Sequence, residues 1–220
     1  MSSEINCADL LNRCLGQEWV PVGLPIAALF LNRNRETIST HWIPTSSSIA
    51  MAASHGSYWT GIMQRQIDPL TGLLLEANRT RYNLATRPGV PHNPIEGASL
   101  IHHGNFYYLF VSVDYCCEQN SSEDNYKQAV GRTISPHGPF VDENGTPMMG
   151  GGGTVLLKGN ASWNAPGGGI TYFDQESGES FLIFHAQNLD KDATPYQWLK
   201  TLDGSKTGLS SRSSAQITRS

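Results

Sequence analysis

The chain has 220 residues, enough for one sizeable core or for part of a larger repeat fold. Charged residues make up only 15% and the net charge is −4, so no basic surface for nucleic acid is implied, and no apolar run is long enough to span a bilayer. Gly, Ser, Thr and aromatics are plentiful, which suits short strands and tight turns better than long helices.

Residues 1–30 are weakly patterned, and residues 1–20 lack a basic start followed by an apolar segment. Residues 31–54 have neither helical nor alternating periodicity and read as a linker or surface loop. From Gly56 the pattern sharpens. Ser57 to Gln64 reads as a strand, Asp68-Pro69-Leu70-Thr71-Gly72 as a turn, and Leu73-Leu74-Leu75 as the start of another strand. Residues 76–94 are polar and proline-dotted, a long loop of the functional kind. Two strands then turn at His103-Gly104-Asn105, and others follow at Gln128 to Arg132, Thr154 to Leu157, Ile170 to Phe173, Phe181 to His185 and Gln197 to Leu202. Short strands at this spacing predict an all-β fold. Residues 98–132 and 170–202 each resemble most of a four-stranded sheet, the unit of a β-propeller blade; a β-sandwich fits the same pattern equally well.

Few residues stand out chemically. Glu96, between Pro94-Ile95 and Gly97, opens an apolar strand, where partial desolvation favours the protonated form that a general acid needs. A solvated strand-end glutamate is the plainer reading. His185 ends the apolar run Phe181 to Phe184, a place more typical of a hydrogen-bonded core histidine than of a ligand. Cys116 and Cys117 are too close for easy mutual bridging and lack zinc-site spacing. The Gly150–Gly153 run has no following Lys-Ser/Thr and reads as a turn rather than a phosphate loop. No Gly-x-Ser-x-Gly elbow supports a serine hydrolase. Sequons at Asn78, Asn120, Asn144 and Asn160 hint mildly at secretion.

The motifs taken together resemble a known family. Gly56-Ser57-Tyr58-Trp59-Thr60-Gly61-Ile62, Ile95-Glu96-Gly97, Tyr107 to Ser112, Asp114-Tyr115-Cys116-Cys117, Val130-Gly131-Arg132, Gly138 to Asp142, Gly145 to Met149, Gly151 to Thr154 and Phe184-His185-Ala186 occur in the order seen in glycoside hydrolase family 43, nearest its endo-1,5-α-L-arabinanases. The match runs over residues 55–203. The resemblance implies a five-bladed β-propeller, of which three C-terminal blades are readable here, and inverting hydrolysis of arabinan or arabino-oligosaccharide by a secreted monomer. It implies Glu96 as general acid and His185 facing the central channel toward a structural Ca2+ held largely through water. No organic cofactor, nucleic acid or membrane is implied. Trp59, Tyr115 and Trp163 are candidates for stacking on sugar rings.

The chain also departs from the family. Inverting hydrolysis needs a second carboxylate to activate water. The family's first-blade aspartate base has no counterpart, and its Asp-Pro motif, expected about fifty residues before Glu96, does not appear. Regrouping the codons of Trp42 to Ala52 by one base restores it: Trp42-Ile43 forces GAT (Asp), Met51-Ala52 forces GGC (Gly), and the codons between can spell Asp-Pro-Asn-Leu-Phe-Phe-Asp-Ser-Asp-Gly. The same regrouping after Asp203 permits Trp-Glu-Gln-Asp-Trp-Pro-Val. The expected organisation is therefore a remnant or frame-shifted segment 1–54, a partial propeller 55–203 and a frame-shifted tail 204–220. Such a chain is expected to be inactive as written. The alternatives are a non-catalytic carbohydrate-binding remnant, or β-xylosidase or α-L-arabinofuranosidase specificity within the family.

Overall fold

The computed structural model describes residues 60–66, 74, 80–115, 125–174 and 177–203 in full, with the strand backbone of 30–31, 36–40, 49–54, 204–205 and 208–217. The first sheet joins β1 (Phe30–Leu31), β2 (Glu36–Thr40), β3 (Ile49–Ser54), β4 (Ile62–Gln66) and β5 (Tyr82–Ala85). The second joins β6 (Ile95–His103), β7 (Phe106–Val113), β8 (Lys127–Thr133) and β9 (Thr154–Leu157). The third joins β10 (Trp163–Phe173), β11 (Ser180–Asn188), β12 (Thr194–Ser205) and β13 (Gly208–Ile217). Within each sheet every strand pairs antiparallel with the next in sequence, so each sheet is a simple meander. The two repeats read from the sequence are the second and third sheets.

Strand β7 shows why the sheets stack as they do. Successive side chains of a strand point to opposite faces. Leu109 and Val111 join Ile62, Leu84, Phe140 and Met148 in a core against the first sheet, while Tyr108 and Phe110 join Leu182, Phe184, Ala186 and Leu202 in a core against the third. Leu109 and Phe110 are both fully buried, each contributing roughly 1.5–3 kcal/mol by leaving water. A two-sheet sandwich buries one face of each sheet. Here the middle sheet is buried on both, so the three sheets lie face to face in series, as propeller blades do.

Several elements differ from expectation. Residues 31–54, read as a linker, contribute β2 and β3, and the expected tail contributes β13. Backbone donors and acceptors take sheet partners there without an alternating side-chain pattern. The expected loop 76–94 contains β5, anchored by buried Leu84 and Ala85. Strand β10 starts seven residues earlier than predicted and runs through Pro166-Gly167-Gly168-Gly169. Gly150–Gly153 is a turn, as read, leaving the short 3-10 segment Met148–Gly150 and entering β9. Trp59, Cys116 and Cys117 lie outside the described residues.

The first strands of the second and third sheets, β6 and β10, lie beside one another. A Cβ on Gly97 would sit 3.6 Å from Gly168 Cα, and Ser99 Oγ meets Thr171 Oγ1 at 2.6 Å and accepts from Thr171 N–H at 2.9 Å. Both contacts advance in the same chain direction, so the two strands run parallel with their N-terminal ends together. That end carries Glu96.

Candidate active site

Glu96 is the second residue of β6 and is half-buried. It pairs with Ser112 of β7, and the register then slips before Ser99 pairs with Phe110. The slip is a bulge at Gly97-Ala98, with Gly97 at φ 58°, a left-handed conformation that glycine adopts without steric cost. A bulge re-aims the side chains beside it. Glu96 leaves the alternation of β6, and its Oε1 accepts a 2.8 Å hydrogen bond from the hydroxyl of Tyr126, which is only 3% exposed.

The seat for this pair comes from the third sheet. In β10 the register slips on both sides of Gly167, which pairs with His185 of β11. A Cβ on Gly167 would lie 2.1 Å from the Tyr126 ring, and one on Gly168 would lie 2.8 Å from His185 Nδ1. Only bare backbone fits beneath these two rings, whose centroids are 6.0 Å apart at 23°. The glycine backbone is itself held: Gly168 N–H donates to Ser112 Oγ at 2.8 Å, and Gly169 N–H to Gln128 Oε1 at 3.1 Å. Ser112 Oγ donates to that same Gln128 oxygen at 3.2 Å. Glu96, Tyr126 and His185 therefore form one wall, built by side chains of two sheets on a glycine floor.

An ion network closes the same end of the second sheet. Asp114 follows β7 at φ 70°, and its N–H donates to Pro94 O at 2.9 Å. Its side chain, 5% exposed, is bound by Arg87 Nε at 3.2 Å and Lys127 Nζ at 2.8 Å. Burial pushes the Asp114 carboxyl up, but the hydrogen bonds and charges of Lys127 and Arg87 outweigh it and hold the group below the usual carboxylate range. The loop 86–94 is thereby tied down just before Glu96. Tyr115 adds to this by donating its hydroxyl to Pro91 O at 2.6 Å, and Asn93 Oδ1 accepts from Arg87 N–H.

The expected site residues thus fall in different places. Glu96 and His185 share the wall, bridged by Tyr126. Tyr115 braces the loop before Glu96. Trp163 is the first residue of β10, where its ring meets Trp198 edge-on at 4.6 Å and Tyr196 at 5.7 Å and packs against the second core. For a cation at His185, no group of three or more His, Cys, Asp or Glu converges among the described residues. The unpartnered buried polar atom of Gln128 is Nε2, a donor of no use to a cation. Calcium takes six to eight oxygen ligands. The His185 imidazole nitrogen fits such an ion as a partner of its bound water.

Comparison with known proteins bears on the same region. The model of glycosyl hydrolases family 43 matches residues 52–202. The chain belongs to this family. Among curated relatives, the Bacillus subtilis extracellular endo-α-(1→5)-L-arabinanase 1 is 35% identical over 150 residues, covering 68% of this chain and 43% of the relative. The Aspergillus niger arabinan endo-1,5-α-L-arabinosidase A is 36% identical over 137 residues, 60% of this chain and 41% of the relative. Among solved structures, the Cellvibrio cellulosa α-L-arabinanase superposes with a TM-score of 0.66 at 25% identity, over 77% of this chain and 55% of that one. The family 43 chain thus spans about two fifths of the length of these curated relatives and about half of the solved one.

Proposed function

We propose that this chain carries the general-acid half of an arabinanase-type site, acting on α-1,5-L-arabinofuranosidic bonds of arabinan and pectin side chains outside the cell. The observation that carries the reading is Glu96 at a bulged strand mouth, half-buried and gripped on one oxygen. In that role Glu96 gives its proton to the departing glycosidic oxygen as the bond to the anomeric carbon breaks, and ends as a carboxylate. An inverting partner would stand about 6.5–9.5 Å away and deprotonate the attacking water. Asp114 is unsuited to be that partner, because Arg87 and Lys127 already compensate its charge. The base and the family's Asp-Pro aspartate are the groups that the regrouped codons and additional chain would supply. If an ion binds near His185, it would act structurally through water, adding fixed positive charge and rigidity to the channel wall.

The purified 220-residue chain is expected to bind arabino-oligosaccharides in calorimetry and to release none from linear arabinan. Restoring the reading frame across codons 42–52, together with any missing blades, is expected to bring hydrolysis that Glu96→Gln removes by ~10²–10⁴-fold. Release of arabino-oligosaccharides by the chain as written would sink the inactivity reading. Failure of the restored enzyme on arabinan, with turnover of xylosides instead, would sink the substrate reading. Genomic DNA across codons 30–55 is expected to spell Asp-Pro-Asn-Leu-Phe-Phe-Asp-Ser-Asp-Gly in the shifted frame. Any other spelling removes the frame disruption.

A further inference from the structure

Tyr126 has no role in the function as stated, yet its placement is specific. It is almost wholly buried, its ring lies over Gly167 of the neighbouring sheet and beside His185, and its hydroxyl donates to Glu96 Oε1 at 2.8 Å. A carboxyl group that acts as an acid has one oxygen bearing the proton and one accepting hydrogen bonds. Tyr126, itself buried, occupies Oε1 as an acceptor. The proton to be delivered is then on Oε2, the oxygen that Tyr126 does not hold. After transfer, the negative charge on Glu96 is already met by a donor that needs no reorganisation.

We infer that Tyr126 is the positioning residue of the acid: it selects Oε2 as the proton-bearing oxygen and receives the charge left on Oε1. The floor of Gly167 is part of the device, since any side chain there would push the ring off Glu96. Ser112 and Gln128, which hold the Gly168 and Gly169 backbone, fix the height of that floor. This inference rests on the reading of Glu96 as general acid.

The contact can be read without turnover, by nuclear magnetic resonance on the full 220-residue chain labelled with 13C at tyrosine Cζ and glutamate Cδ. Tyr126 is expected to show a slowly exchanging hydroxyl proton, lost in Tyr126→Phe and displaced in Glu96→Gln. In Tyr126→Phe the Glu96 carboxyl carbon is expected to shift well beyond its linewidth while the other glutamates stay in place. A Tyr126 that merely fills space would leave the Glu96 carbon unmoved, and that result overturns the inference. Should Tyr126→Phe not fold, Glu96→Gln reads the same contact through the Tyr126 Cζ signal, and an unmoved signal there counts equally against it. Calorimetry with arabinotriose on the same samples separates the two readings. Absence of binding by the unsubstituted chain counts against the proposed function, whereas binding retained in Tyr126→Phe agrees with a residue behind the acid rather than in the cleft.

Discussion

Asp114→Ala is expected to cost about 3 kcal/mol of stability at neutral pH, because it leaves Arg87 and Lys127 facing one another across a largely buried gap. The two cations keep some solvent contact, with side chains 24% and 28% exposed, which holds the loss toward the lower end for a broken buried pair. Alanine also suits the left-handed backbone at φ 70° less well than aspartate does. Asp114→Asn keeps that backbone preference and so isolates the charge. The pH dependence has a definite sign. The folded Asp114 titrates below its unfolded value, so the unfolded chain takes up the proton first. Its stabilisation is complete above about pH 4 and drains away as the pH falls through the folded value. His137, whose burial lowers its affinity for a proton, weakens the fold as pH falls through about 6.5, but does so in parent and variant alike. Urea unfolding of both proteins across pH should therefore give a gap that is widest near neutrality and closes in acid. A gap that persists unchanged at acid pH would mean that packing, not charge, makes the contribution.

Gly167→Val is expected to destabilise the chain by about 2–3 kcal/mol through overpacking against Tyr126. The obstacle is a ring with no free direction: Tyr126 is buried, bonded to Glu96 and set beside His185. Thermal or denaturant unfolding measures the cost. Gly150→Val is the control, since a Cβ there meets nothing within 4 Å and the backbone is not left-handed. A Gly167 variant that loses no more than the Gly150 variant would show that the third sheet can move away from the second at little cost.

Much of this molecule is legible in its sequence. The strands from β6 to β12 follow from apolar runs between turn residues, and Glu96 stands out as a carboxylate opening an apolar strand. What escapes is set by contacts between sheets. Pro166-Gly167-Gly168-Gly169 has the composition of a turn, yet it is strand because rings from β11 and from the segment before β8 need its empty space. Tyr126 is a single tyrosine after a polar stretch, and its partner lies thirty residues away. The one available hint is its two-residue spacing from Gln128, which puts both on the face that meets β10. Asp114 sits inside a motif that marks the family, but nothing local announces that Arg87 and Lys127 converge on it.

The parallel adjacency of β6 and β10 has a mechanical meaning. Sliding one strand past the other by a single residue, about 3.3 Å, would break the Ser99–Thr171 and Ser112–Gly168 bonds and, in one direction, drive the Pro166 ring under Tyr126. The aim of the acid is thus coupled to the register in which the third sheet docks on the second.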